Sequence, residues 1–233
     1  MEAQYATVWE RNSDVIPDEI ALICGDKQVT WRDYDNRAAR LASVLTKAGL
    51  GNDSKVGLYL HNSNEYLEAQ YSAFKIRGVP INVNYRYKEE ELIYLLDNSD
   101  SEAVFYQGCY TQQIEAIKDK LPKVKLFIQV DDGTNDVLNF ATDYETAISA
   151  SEPMERIERS GENIYMLYTG GTTGMPKGVM YQHEGHLMGM LNTAGAWGLI
   201  PVQERLEKED LESIGDEVKR LSDEGNLPVS IPA

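Results

Sequence analysis

Apolar side chains follow two different spacings along the chain, and the spacings alternate. Ala38, Leu41, Ala42 and Leu45 recur at i, i+3, i+4 and i+7, which predicts an amphipathic helix that Thr30 can cap. Short, bounded apolar runs predict strands. The predicted strands are Ala21–Cys24, Lys27–Thr30, Lys55–Leu60, Val79–Val83, Ala103–Tyr106, Leu126–Val130, Asn163–Tyr168 and Val179–Tyr181.

Helical stretches separate most of these strands. The further predicted helices run from Asn64 to about Ile76 and over Tyr87–Asn98, Gln112–Lys120, Tyr144–Ser149 and Glu184–Gly198. The first two strands read as a small hairpin, and residues 131–160 as an irregular connection that contains one short helix. The alternation that begins at Lys55 predicts an α/β fold, a mostly parallel sheet with flanking helices.

Composition and charge narrow the class of protein. The 233 residues carry 22 basic and 38 acidic side chains, a net charge of -16. Such a chain repels nucleic acid backbones, so no nucleic acid partner is expected. No apolar run approaches the roughly 18 residues that span a bilayer, so no transmembrane segment is expected. The start lacks the pattern of a signal peptide, and we expect a cytoplasmic protein. The pattern leaves the oligomeric state open.

Two cysteines, Cys24 and Cys109, lie far apart and outside any CxxC pair. Without a secretion signal, buried free thiols are expected rather than a disulfide.

A loop rich in glycine and threonine follows the strand Asn163–Tyr168 directly. It contains Thr169, Gly170, Gly171, Thr172, Thr173, Gly174 and Lys177. Glycines let backbone N–H groups approach a polyphosphate, threonines add hydroxyl donors, and lysine adds a mobile positive charge. It is neither the common P-loop, because Pro176 and Gly178 flank Lys177, nor GxGxxG. A flexible glycine-rich hairpin is the structural alternative, but the two flanking strands favour a phosphate-binding loop.

His183 and His186 stand close together in the sequence HEGH. The helical zinc motif requires histidines at i and i+4, whereas these are at i and i+3, so no metal site is predicted.

The segment YTGGTTGMPKGV closely resembles the signature of the adenylate-forming (AMP-binding) superfamily. Within that superfamily it resembles the acyl-CoA synthetases. Gly170 stands where many members carry serine. The resemblance extends over residues 17–190. It implies the N-terminal part of the large adenylate-forming domain. The charged tail, residues 201–225, is predicted to be helical over Glu204–Glu224 because its few apolar residues fall on one helical face. Family members are much longer, so 1–233 is interpreted as an incomplete domain without the C-terminal small domain.

The resemblance implies a two-step reaction. A carboxylate, here expected to be a fatty acid, attacks ATP to give an acyl-adenylate and pyrophosphate, and CoA then displaces AMP. The loop would hold the departing phosphates, with Thr172, Thr173 and Lys177 as the main contacts and Mg2+ assisting. His183 matches a residue that can line the acyl pocket; a packed or surface histidine is the alternative.

Two other functions stay open. The chain could adenylate an acid for a carrier protein, or it could be a non-catalytic remnant that binds nucleotide weakly or a protein partner. The family's adenine, ribose and catalytic-lysine elements lie downstream of residue 233, so the chain alone is not expected to complete adenylation.

Overall fold

The computed structural model describes residues 3–169 and 175–196, with side chains to residue 190. The helices are α1 (Tyr5–Val15), α2 (Trp31–Lys47), α3 (Asn64–Lys75), α4 (Glu89–Asn98), α5 (Thr111–Ile117), α6 (Tyr144–Ser149) and α7 (His183–Ala196). The strands are β1 (Ile20–Cys24), β2 (Lys27–Thr30), β3 (Lys55–Tyr59), β4 (Val79–Asn82), β5 (Ser101–Gln107), β6 (Leu126–Val130), β7 (Thr142–Asp143), β8 (Ile164–Thr169) and β9 (Lys177–Gln182).

Contacts divide the chain into two compact units. The first contains the described residues up to 35, residues 159–162 and the described residues from 182 onward. The second contains residues 36–158 and the described residues of 163–181.

The second unit is built on a seven-stranded sheet of order β7-β6-β5-β3-β4-β8-β9. The pairs β3–β4, β3–β5, β5–β6, β6–β7 and β4–β8 are all parallel. The chain passes from β3 to β4 on one side and then to β5 on the other, so neighbouring connections lead in opposite directions. Ligands of open α/β sheets bind at the carboxyl ends of such strands.

Alternate residues of the central strands enter two separate hydrophobic clusters. In β5, Ala103 and Phe105 belong to one cluster, while Val104 and Tyr106 belong to the other. Because successive strand residues point to opposite faces, the clusters lie on the two faces of the sheet. Residues of α2, α3 and α6 enter the first cluster and residues of α4 and α5 the second, so helices cover both faces. The α/β sheet with flanking helices is confirmed.

Two helix starts have the caps that their sequences indicate. The N–H of Asp33 donates to the Thr30 hydroxyl at 3.2 Å, and that hydroxyl donates to the Asp33 carboxylate at 2.9 Å. The N–H of Tyr66 donates to the Ser63 hydroxyl at 3.2 Å. Each side chain satisfies an N–H that the first helical turn leaves without a partner, which is why the helices begin there.

A buried carboxylate joins three helices on one face of the sheet. Both carboxylate oxygens of Glu68 in α3 accept hydrogen bonds of 2.9 Å from Nε of Arg37 in α2. Glu68 also accepts a bond of 2.6 Å from the hydroxyl of Tyr144, which begins α6. The Glu68 side chain is only 2% exposed. Burial raises the pKa of Glu68 above its usual value, while the bonds from Arg37 and Tyr144 oppose the rise.

The first unit contains the hairpin β1–β2, α1 and the described part of α7. Both nitrogens of the Arg159 guanidinium fork donate to the Glu10 carboxylate, at 2.8 and 2.9 Å. Both side chains are buried, so the pair fixes the segment 159–162 against α1. None of the helices that the structure describes is both long and apolar enough to cross a membrane.

Several sequence predictions need correction or lie outside the described residues. No prediction covered α1 or the two-residue strand β7. Both cysteines are free, as expected, but Cys24 is exposed and Cys109 only half-buried, so the prediction of buried thiols was wrong. The predicted charged helical tail, residues 201–225, and the loop positions Gly170, Gly171, Thr172, Thr173 and Gly174 lie outside the described residues.

Candidate functional site

Strands β8 and β9 are neighbours in the sheet and carry the two ends of the glycine–threonine loop. Thr169 is the last residue of β8, and Lys177 is the first residue of β9. Because β8 runs parallel to β4, the loop leaves from the carboxyl edge of the parallel strands. Both Thr169 and Lys177 are exposed there. The two described residues of the predicted phosphate loop therefore present a hydroxyl and an ammonium group to solvent at the ends of the loop.

The beginning of the loop is held by a side-chain amide. The N–H of Tyr168 donates to Oδ1 of Asn82 at 2.8 Å, and Nδ2 of Asn82 donates to the carbonyl of Tyr168 at 3.2 Å. Asn82 is the last residue of β4, so its amide extends the pairing of β4 with β8. The hydroxyl of Tyr168 also donates to Oδ1 of Asn98 at 2.8 Å. The residue before Thr169 is thus fixed through both its backbone and its ring.

The far end of the loop is held from α4. The hydroxyl of Tyr94 donates to the carbonyl of Pro176 at 3.3 Å, directly before Lys177. Pro176 is buried, whereas Met175 and Lys177 on either side are exposed. Because the φ of proline is fixed and the Pro176 carbonyl is anchored, the backbone position of the following residue, Lys177, is restricted.

Gly178 leaves room for side chains of β8 that lie close to β9. A Cβ at this position would lie 2.8 Å from the sulfur of Met166 and 3.1 Å from Cε2 of Tyr168. The Pro-Lys-Gly sequence thus combines an anchored carbonyl, an exposed lysine and a close approach of β9 to side chains of β8.

His183 lies in the other unit, as the first residue of α7. Its ring is fully buried. The backbone N–H of Tyr5 donates to Nδ1 of His183 at 3.2 Å, and the Tyr5 ring meets its edge at a centroid distance of 5.2 Å. The surface-histidine alternative is therefore wrong, and a packed histidine describes this environment. Its contact with an acyl group stays a prediction.

His186 contacts the same tyrosine. Its Nδ1 forms a hydrogen bond with the Tyr5 hydroxyl, and the centroids of the two rings lie 5.9 Å apart. Within the described residues there is no group of three His, Cys, Asp or Glu side chains that could hold a metal.

Sequence reasoning did not identify Asn82, Tyr94, Asn98 or Tyr5. Asn82 offered one signal, a polar residue that ends the apolar strand VPIN. The other three contacts join residues 70 to 178 positions apart, and nothing local in the sequence indicates them.

Comparison with known proteins agrees with this fold and with the family that the sequence indicates. Residues 9–211 match the family of AMP-binding enzymes, so the chain belongs to that family. A 3-oxocholest-4-en-26-oate–CoA ligase of Rhodococcus rhodochrous is 41% identical over 79% of this chain. A medium/long-chain-fatty-acid–CoA/3-oxocholest-4-en-26-oate–CoA ligase of Mycobacterium marinum is 42% identical over 77%. The chain spans about a third of each relative, 34% in both cases.

The fold also matches solved structures. An anthranilate CoA ligase, AuaEII, solved in complex with anthranoyl-AMP, superposes with a TM-score of 0.75 over 84% of this chain and 37% of its own. The two sequences are 23% identical, so this likeness concerns the fold alone. The resemblance noted from YTGGTTGMPKGV is confirmed at the level of family and fold.

Proposed function

We propose that this chain carries the phosphate-binding part of an AMP-forming acid–CoA ligase. The reaction would join ATP and a carboxylic acid to an acyl-adenylate with release of pyrophosphate, and CoA would then take the acyl group as AMP leaves. The observation that carries the proposal is the loop between β8 and β9, anchored at Tyr168 and Pro176 and ending in exposed Lys177. Anchoring both ends lowers the entropy that the loop loses on binding phosphates.

The substrate class follows from the relatives' activities. Both relatives act on large apolar acids, a steroid side-chain acid in each case and fatty acids in one. A fatty acid or a steroid carboxylic acid is therefore the proposed substrate. ATP and CoA are proposed co-substrates; Mg2+ is proposed only as the usual companion of ATP phosphates.

The first test is nucleotide binding by the chain itself. Titration calorimetry with ATP and with pyrophosphate should show binding that Lys177→Ala weakens by about 10- to 100-fold, the range for loss of a charged hydrogen bond. Lys123→Ala is the matched control, because Lys123 is an exposed lysine paired with Asp97 and Asp100. Equal affinities of wild type and Lys177→Ala would refute the role of the loop.

The second test is carboxylate-dependent ATP–pyrophosphate exchange. When the chain is joined to the remaining length of a relative, long-chain fatty acids and a steroid side-chain acid should support exchange, and an amino acid should not. Exchange driven by amino acids would favour adenylation for a carrier protein. Nucleotide binding without exchange, even when the chain is joined to the remaining length of a relative, would favour a non-catalytic remnant.

A further inference from the structure

The first turn of α1 is capped partly by a residue that lies 178 positions further along the chain. A helix leaves its first N–H groups without partners inside the helix. Oε1 of Gln4 accepts from the N–H groups of Ala6 and Thr7, at 2.6 and 3.4 Å. The N–H of Tyr5, the first helical residue, instead donates to Nδ1 of His183 at 3.2 Å. His183 thus completes the cap of α1.

This contact fixes where the imidazole carries its proton. A backbone N–H can only donate, so Nδ1 of His183 must accept and is unprotonated. A neutral ring then carries its hydrogen on Nε2. The ring is fully buried and faces the positive end of the α1 dipole, and both conditions disfavour the imidazolium ion. His183 is therefore expected to be neutral, with Nε2–H as its polar group.

The Tyr5 side chain holds the next turn of α7 in the same place. Its hydroxyl forms a hydrogen bond with Nδ1 of His186 and lies 3.1 Å from the sulfur of Met190. His183, His186 and Met190 are spaced at i, i+3 and i+7, so they share one helical face. One residue of α1 contacts all three.

The backbone at the start of α7 is fixed from a second direction. The N–H of Glu184 donates to the carbonyl of Gly161 at 3.0 Å. A Cβ on Gly161 would lie 2.9 Å from Cβ of Glu184, so the two backbones approach as closely as glycine permits. The backbone that carries His183 is therefore held by residues 161 and 184 as well as by the contact with Tyr5.

We propose that Tyr5 is a positioning residue which holds His183 as the neutral Nε2–H tautomer, so that His183 serves as a hydrogen-bond donor and not as a general base. A base needs a free lone pair near its proton source, but Tyr5 occupies the lone pair of Nδ1 and a hydrogen occupies Nε2. The ligand group that suits this donor is an acceptor oxygen, such as that of a carboxylate. This last step rests on the proposed function.

The decisive variants are Tyr5→Ala and Tyr5→Pro. Both remove the ring and the hydroxyl, but only proline removes the N–H. Proline suits the first position of a helix, and Gln4 already has the extended conformation (φ -125, ψ 141) that a following proline requires. Comparison of Tyr5→Ala with Tyr5→Pro therefore isolates the effect of the backbone N–H at position 5. Tyr5→Phe is the control that loses only the hydroxyl.

The measurement is the tautomer of His183, from long-range ¹H–¹⁵N NMR of the chain at neutral pH. Wild type, Tyr5→Phe and Tyr5→Ala should show Nε2–H with Nδ1 unprotonated, and Tyr5→Pro should show a mixture that includes Nδ1–H. A wild-type ring with Nδ1–H, an imidazolium ion, or a Tyr5→Pro tautomer identical to that of Tyr5→Ala would overturn the proposal.

A second pair of variants keeps the proposal testable if Tyr5→Pro does not fold. The amide oxygen in His183→Asn can take the place of Nδ1 and accept from Tyr5, whereas the longer amide of His183→Gln can place an N–H where Nε2 lies. His183→Asn should retain stability but lose about 10- to 100-fold in carboxylate-dependent exchange, and His183→Gln should retain more exchange than His183→Asn. Equal exchange by the two variants would overturn the donor role.

The two hypotheses fail in different ways. If no carboxylic acid drives exchange in the wild-type chain joined to the remaining length of a relative, the proposed ligase function fails, and the NMR tautomer still decides the role of Tyr5. If exchange is present but the wild-type ring carries its proton on Nδ1, the ligase proposal stands and the positioning role of Tyr5 is wrong.

Discussion

At the scale of single residues, Asn82 shows how one side chain can stand in for a backbone. Its amide carries a donor and an acceptor in one plane, as a peptide group does, and it engages both polar atoms of Tyr168. The parallel register pairs Ile81 with Met166, so Asn82 continues the ladder to the residue before Thr169. The backbone at Tyr168, where the loop begins, is therefore held by two hydrogen bonds from one side chain.

We predict that Asn82→Ala lowers the free energy of unfolding by roughly 1–3 kcal/mol, for two hydrogen bonds of about 0.5–1.5 kcal/mol each. ATP affinity should fall as well, because the loop loses its anchor on the β8 side. Denaturant unfolding and calorimetric titration measure the two effects. Asn84→Ala is the matched control, since within the described residues the Asn84 side chain accepts one local hydrogen bond, from the N–H of Arg86. Equal effects of the two variants would contradict the bracing role.

At the scale of elements, the contact of Arg37, Glu68 and Tyr144 joins α2, α3 and α6 over one hydrophobic cluster. Arg37 has a second partner, because its guanidinium also donates to both oxygens of Glu145, at 2.6 and 3.1 Å. The Glu145 side chain is 62% exposed, so this outer pair contributes little. The buried bond to Glu68 is the one whose loss leaves a carboxylate without compensation.

We predict that Arg37→Met destabilises the fold by about 3–5 kcal/mol near pH 7. The loss should be smaller near pH 4. Burial raises the pKa of Glu68, and removing Arg37 removes the largest influence that lowers it. A carboxyl group with a raised folded pKa favours folding while protonated, and that contribution disappears as pH rises through the folded pKa.

Denaturant unfolding at the two pH values measures this difference. Arg32→Met is the control, because the pair of Arg32 with Asp18 is exposed, with side chains 61% and 83% accessible. A loss in Arg37→Met that does not depend on pH would mean that Glu68 is not the group responsible.

At the scale of the whole molecule, the net charge of -16 opposes both compaction and the binding of an anion. Phosphate binding at the proposed site would therefore depend on local contacts, and Lys177 is exposed there next to a loop whose ends are fixed. Added salt screens distant charges over about 8–10 Å but affects close contacts less.

We predict that adding salt, up to about 0.3 M sodium chloride from low ionic strength, raises the melting temperature by roughly 2–4 °C, which corresponds to about 1 kcal/mol for a chain of this size. Differential scanning calorimetry in a salt series measures the effect. A melting temperature that falls with salt would show that attractive ion pairs outweigh the self-repulsion.

Hydrophobic spacing and local capping determined most of the elements. The i, i+3, i+4, i+7 series in α2, the caps at Thr30 and Ser63, and the apolar runs of β3 to β6 are local patterns, and the structure follows them closely. They work because burial of one face and satisfaction of the first helical N–H groups depend on near neighbours in the chain. The helix α1 escaped detection because its only buried residues are Tyr5, Ala6 and Glu10, too few for a clear apolar stripe.

The sequence by itself thus determined the α/β class, the loop YTGGTTGMPKG and the family that the loop indicates. Only the tertiary structure decided which side chains hold that loop and in which form His183 is held. Asn82, Tyr94 and Tyr5 act on residues 82 to 178 positions away. Such contacts depend on how strands and helices are brought together, because a hydrogen bond requires atoms within about 3 Å and no spacing along the chain encodes that distance.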